Sequence, residues 1–141
     1  MRLFLDTEFN GHRGDLISMA LVDSDSRYWY EVLDCKNPVP WVKDNVIPVL
    51  KKKSISFPKF QESLHNFLST NYHEALIVIA DWPVDIKYFC EVLITGDGST
   101  CMDVGDLTFH VYRHLSTNKS KIPHNALEDA KALKTMYYGG R

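Results

Sequence analysis

The chain has 141 residues, with 16 Lys and Arg against 18 Asp and Glu, for a formal net charge of −2. Apolar residues make up 45% and charged residues 24%, which excludes collagenous, coiled-coil and intrinsically disordered chains. No apolar run approaches the ~18 residues of a membrane span, and a near-neutral charge excludes a protein that coats duplex DNA non-specifically.

The predicted elements begin with three strands, over residues 2–9, 16–23 and 27–33. Leu16, Ser18, Ala20 and Val22 alternate with Ile17, Met19 and Leu21, the period of a strand. Asp23-Ser24-Asp25-Ser26 is a polar hairpin turn, so the three strands are expected to be antiparallel. Asn37-Pro38-Val39-Pro40 breaks the sheet. A helix is predicted over 41–50, with Pro48 limiting its regularity and Lys51-Lys52-Lys53 at its C-terminus. Phe57, Phe60, Leu64, Phe67 and Leu68 recur at helical spacing and predict an amphipathic helix.

Residues 75–80 are continuously apolar, the mark of a strand covered on both faces. Pro83 then starts a helix that buries Val84, Tyr88, Phe89, Val92 and Leu93. A turn at Gly96-Asp97-Gly98, a short strand over 100–104, a helix over 107–115 and a loop over 118–123 follow. A last helix spans 126–138 with Ala130, Leu133 and Tyr137 inward, and residues 139–141 form a frayed tail. The pattern predicts one α/β domain over 1–141 with a mixed central β-sheet flanked by helices. Cys35, Cys90 and Cys101 lack C-x-x-C spacing and read as free thiols. Asp6 comes too early for a signal peptide, so a cytoplasmic protein is expected, with no membrane partner.

Asp6 and Glu8 stand two apart near the end of the first strand. Period two places both on one face, ~6–7 Å apart along the chain. Two like charges pointing the same way push one carboxyl to protonate, and a divalent cation relieves this. Oxygen ligands select Mg²⁺ or Mn²⁺. The alternative is a pair of solvated acids at a strand end. Asp85 follows the buried strand, at the carboxyl end where α/β sheets place their sites, or it complements a helix dipole. Asp81 has the same two readings, with a turn or capping role preferred. In Pro123-His124-Asn125-Ala126-Leu127-Glu128-Asp129, Asn125 is an N-cap and Glu128 completes a capping-box-like pair. His124 then lies in the loop before the helix, free to swing over a site that Asp129 helps to build.

Asp6-Thr7-Glu8-Phe9, then Asp85 behind a buried strand, then His124 and Asp129 in H-x-x-x-x-D spacing, together resemble the DnaQ-like 3′–5′ exonucleases of the DEDDh class. The compact length and the D-T-E-F start look most like the small bacterial and phage 3′–5′ exoribonuclease domains. Asp81 stands where that family more usually has Asn. The resemblance runs from Leu3 to Tyr138 and implies an RNase H-like fold. It implies that Asp6, Glu8, Asp85 and Asp129 hold two Mg²⁺ or Mn²⁺ ions per active site. His124 would be the general base, a task suited to an imidazole, which ordinarily titrates near ~6.5. The implied partner is the 3′ end of single-stranded RNA, or DNA, cut to nucleoside 5′-monophosphates, and a homodimer is left open.

Thr7, Phe9, Asn10 and Arg13 follow or interleave the first motif and are expected to contact substrate, Phe9 by stacking on a base and Arg13 at a phosphate. For Phe9 a core aromatic at a strand end is the equal alternative. For Lys51-Lys52-Lys53 a solvated helix end is preferred to a nucleic-acid patch. The competing functions are a non-catalytic nucleic-acid-binding module on the same fold, an RNase H-type endonuclease, and a D-x-D phosphatase, which Glu8 argues against.

Overall fold

The computed structural model describes residues 1–139. The expected tail therefore lies mostly outside the described residues. Strands β1 (Arg2–Phe9), β2 (Leu16–Asp23) and β3 (Tyr28–Val32) open the chain. A short helix α1 (Pro40–Asn45) and a 3₁₀ turn (Ile47–Val49) lead to α2 (Phe57–Asn71), β4 (Leu76–Ala80) and α3 (Pro83–Leu93). A small hairpin of β5 (Ile94–Thr95) and β6 (Thr100–Cys101) precedes β7 (Leu107–Val111) and α4 (Ala126–Tyr137).

The main sheet has the order β3-β2-β1-β4-β7. β1 pairs antiparallel with β2, and β2 with β3, while β1 with β4 and β4 with β7 are parallel. This α/β architecture with a mixed five-stranded sheet and flanking helices is compatible with the RNase H-like fold. Both faces are covered. Leu3, Leu5, Met19 and Leu21 pack with Phe60, Leu64, Leu68, Phe89 and Val92 of α2 and α3. Ala20, Val22, Tyr30 and Val32 pack with Ala126 and Ala130 of α4, and Phe4 and Ile79 with Leu133. Each Leu, Val, Ile, Met or Phe among them, fully removed from water, contributes about 1.5–3 kcal/mol of transfer free energy. No helix among the described residues is long and apolar enough to cross a membrane.

Several elements differ from expectation. The helix expected over 41–50 stops at Asn45, and Pro48 lies in the 3₁₀ turn. A proline in a continuing α-helix would lack its N–H and press its ring on the carbonyl four residues back. Lys51-Lys52-Lys53 therefore does not cap a helix. Lys52 instead bonds the Tyr30 carbonyl and pairs with Glu31. The strand expected over 100–104 is two residues long.

The helix expected over 107–115 is the edge strand β7. Its residues are spaced Leu107, Val111 and Leu115 as on a helix face, but they also alternate Leu107, Phe109, Val111 against Thr108, His110. The free edge of β4 accepts that second pattern and pairs all five residues. The polar turn is as expected, and its first residue does more than turn. Asp23 is fully buried and accepts from the N–H groups of Asp25 and Arg27, from Arg27 Nε and from the Tyr72 hydroxyl.

Candidate metal centre

β1 is the central strand, and its alternation sends successive side chains to opposite layers. Leu3 and Leu5 face α2 and α3, and Phe4 faces α4. The same alternation continues past the hydrophobic part into Asp6, Thr7 and Glu8. Thr7 Oγ1 donates to Asp85 Oδ1 of α3 at 2.6 Å. Asp85 is in the first turn of α3, which Pro83 starts without its N–H being missed. Asp129 is in the first turn of α4, whose N-cap Asn125 accepts from the Glu128 N–H at 3.1 Å. The expected capping box is half formed, because the Glu128 carboxylate pairs with Lys131 at 2.9 Å rather than reaching back to the cap.

Asp6, Thr7, Glu8, Phe9, Asp85, His124 and Asp129 line one open cleft of about 490 Å³ at the carboxyl ends of β1 and β4. The ligand atoms fall into two trios, Glu8 with His124 and Asp129, and Asp6 with Asp81 and Asp85. Within each trio they lie within 4.8 Å of one another. His124 is held at φ +71°, in the left-handed region that histidine visits more readily than most residues. Its backbone N–H donates to Asp129 Oδ2 at 3.2 Å, and its ring meets Trp41 edge-on at 4.9 Å.

The carboxyls are forced together. Burial, then the nearby charges of Asp129 and Asp85, pushes Glu8 up to about 9. Burial pushes Asp85 up to about 7 against the opposing hydrogen bond from Thr7. Burial and then Asp85, Glu8, Asp129 and Asp81 hold Asp6 well above the usual carboxylate range. Asp129 and Asp81 are also raised, burial being the main cause in each. Among the described residues, the buried oxygens Asp6 Oδ2 and Asp129 Oδ1 have no hydrogen-bond partner. Unpartnered buried carboxylate oxygens in an all-oxygen and imidazole donor set fit hard divalent cations such as Mg²⁺ or Mn²⁺.

Two expected contact residues lie elsewhere. Asn10 Nδ2 donates to the Asn37 carbonyl and its Oδ1 accepts the Val39 N–H, so this side chain ties down the loop that leads to Trp41. Arg13 lines a separate concavity with Tyr88 and Lys87. The loop between them needs Gly14, since a Cβ there would stand 1.8 Å from the Asn10 carbonyl oxygen. Phe9 both lines the cleft and stacks on Tyr88 at 5.0 Å.

Several cleft residues have no site role in the sequence reading, Val42 and Thr117 among them. Asp81, read as a turn or cap, is half-buried in the Asp6 trio, and the N-cap of α3 is Trp82. Trp41 and Trp82 stand on the cleft's rim, 54% and 47% exposed. Each is an apolar residue beside a proline at the start of a helix, which alone does not separate a rim from a core position. No protein-family model and no curated protein matches the chain.

Proposed function

We propose that the protein is a metal-dependent 3′–5′ exonuclease that hydrolyses single-stranded nucleic acid, RNA by preference, to nucleoside 5′-monophosphates. The observation that carries this reading is the meeting of Asp6, Glu8, Asp85 and Asp129 with His124 in one cleft, from three elements far apart in sequence. The directionality and the preference for RNA come from the resemblance of the motifs.

In this reading Asp6, Asp81 and Asp85 would hold one divalent ion, and Glu8 and Asp129, beside His124, would hold the second. When bound, the ions supply Lewis-acid stabilisation of the scissile phosphate and neutralise the crowded carboxylates. The remaining work belongs to the chain. A ring nitrogen of His124 takes a proton from the attacking water. The water oxygen bonds to phosphorus, the P–O3′ bond breaks, and O3′ of the shortened strand takes up a proton. Asp129 orients His124 through its backbone N–H, and Trp41 limits the swing of its ring. Thr7 fixes the rotamer of Asp85.

The test is incubation of 5′-labelled single-stranded RNA and DNA, and of a circular strand, with Mn²⁺, Mg²⁺ or EDTA. The expected result is a ladder shortening from the 3′ end, lost in EDTA and in Asp6→Ala, with the circle intact. His124→Ala should slow it by about 10²–10⁴-fold. Intact linear strands under every metal condition would overturn the reading, and a cut circle would replace it with an endonuclease.

A further inference from the structure

From Leu107 to Leu127 the chain carries no Asp or Glu, although acids outnumber Lys and Arg over the whole sequence. This stretch contains β7 and the loop that returns to α4, with Arg113, Lys119 and Lys121 on it. The loop has two sides. Thr117 lines the carboxylate cleft, while its neighbours Ser116, Asn118 and Lys119 line a groove of about 750 Å³ against the outer face of α4. Lys121 of the loop and Lys131 and Lys134 of the helix line the same groove. From Glu128 to Met136 it follows α4 for about 12 Å. Among the described residues, Lys119, Lys121 and Lys134 have no carboxylate partner, and only Lys131 is paired, to Glu128. Lys134 bonds the Ser26 hydroxyl.

Four lysines in one concavity, on a protein of net charge −2, are a local feature rather than general basicity. The cleft beside them holds five carboxyls and by itself repels a polyanion. Cations next to such a cleft, but outside it, hold a strand without competing for the metal ligands. We infer that the loop and the outer face of α4 form a track for the phosphate backbone of a single strand whose end lies in the cleft. The track makes the protein favour strands long enough to reach it over dinucleotides. The inference rests on the nuclease reading only for which end of the strand occupies the cleft.

The test is fluorescence anisotropy with a 5′-labelled uridylate dodecamer and a labelled uridylate dinucleotide. The full chain carries Asp6→Asn so that the strand is not consumed. Each phosphate contact on a single strand adds about 0.7 to the slope of log affinity against log salt. Four lysines then account for a slope near 2.8, or about a 50-fold loss of affinity between 50 and 200 mM salt. Replacing Lys119, Lys121, Lys131 and Lys134 by Gln should lower the slope by about that amount and bring the dodecamer's affinity towards the dinucleotide's. Replacing the same four by Arg should preserve both, which guards against misfolding. An unchanged slope in the Gln variant would overturn the track, as would a dimer of the parent chain that the Gln variant abolishes. Cleavage of the dodecamer by the unsubstituted chain, alongside an unchanged slope, would sink the track and leave the nuclease. A lowered slope with no cleavage would do the reverse.

Discussion

Thr7 separates two acidic residues on its strand and donates to a third on another element. A hydroxyl that fixes the orientation of a metal-binding carboxylate commonly matters 10–100-fold in metal affinity. Thr7→Val keeps the β-branched shape and removes the donor, so Mn²⁺ affinity measured by calorimetry should fall by about that factor. Burial already raises Asp85, and loss of the Thr7 bond would raise it further. Asp23 shows the same economy away from the cleft. It is buried, and four donors converge on it, including Arg27 and the Tyr72 hydroxyl. Asp23→Ala leaves the Tyr72 hydroxyl without its acceptor and undoes the β2–β3 turn. Urea unfolding should show a loss of roughly 3 kcal/mol.

Helix α4 brings its residues to the cleft through one cap. Asn125 Oδ1 accepts the Glu128 N–H, and its Nδ2 donates to the Val49 carbonyl at 2.8 Å. Asn125→Ala removes both bonds next to His124, and should cost about 1–2 kcal/mol and slow hydrolysis as well. Asn125→Ser keeps the cap and should recover most of the helix stability in thermal melts. Elements with a single strong pattern were legible from the sequence. The alternation of β2, the apolar run of β4 and the helical spacing of Phe60, Leu64 and Leu68 each admit one structure. Residues 107–111 satisfied two periods at once, and only the open edge of β4 decided between them. The cleft was legible where chemistry was concentrated in short motifs, at Asp6, Glu8, Asp85, His124 and Asp129. It was illegible at Asp81, which local sequence favours as a turn or cap, and at Trp41, which local sequence places only in a helix, since tertiary packing alone brings both to the cleft. Asn10 erred the other way, since nothing local reveals that the 37–39 backbone takes up its side chain.

The folded molecule concentrates negative charge in one place, and this couples its stability to pH. A carboxyl raised above its unfolded value of about 4 binds its proton more tightly when folded. Such groups contribute their full stability below that value and lose it as pH rises through the folded values, about 7 for Asp85 and about 9 for Glu8. In EDTA the melting temperature should therefore fall steadily from pH 5 to pH 9. Mn²⁺ should flatten the curve, and at 100 times its Kd should raise the melting temperature at pH 8 by on the order of 10 °C. Glu8→Gln should be more stable than the parent at pH 8 in EDTA, while losing activity. The central strand β1 carries a different kind of constraint. From Leu3 to Leu5 its residues alternate between two packed layers, from Asp6 to Glu8 they line the cleft, and Leu3 to Thr7 are all buried. The strand offers no position at which variation is free. A saturation-mutagenesis scan selecting for activity should show residues 3–8 as an unbroken block of intolerance. New substrate preferences would then arise in the loops around residues 10–15, 37–41 and 113–121, where a lineage has room to explore without unmaking the sheet.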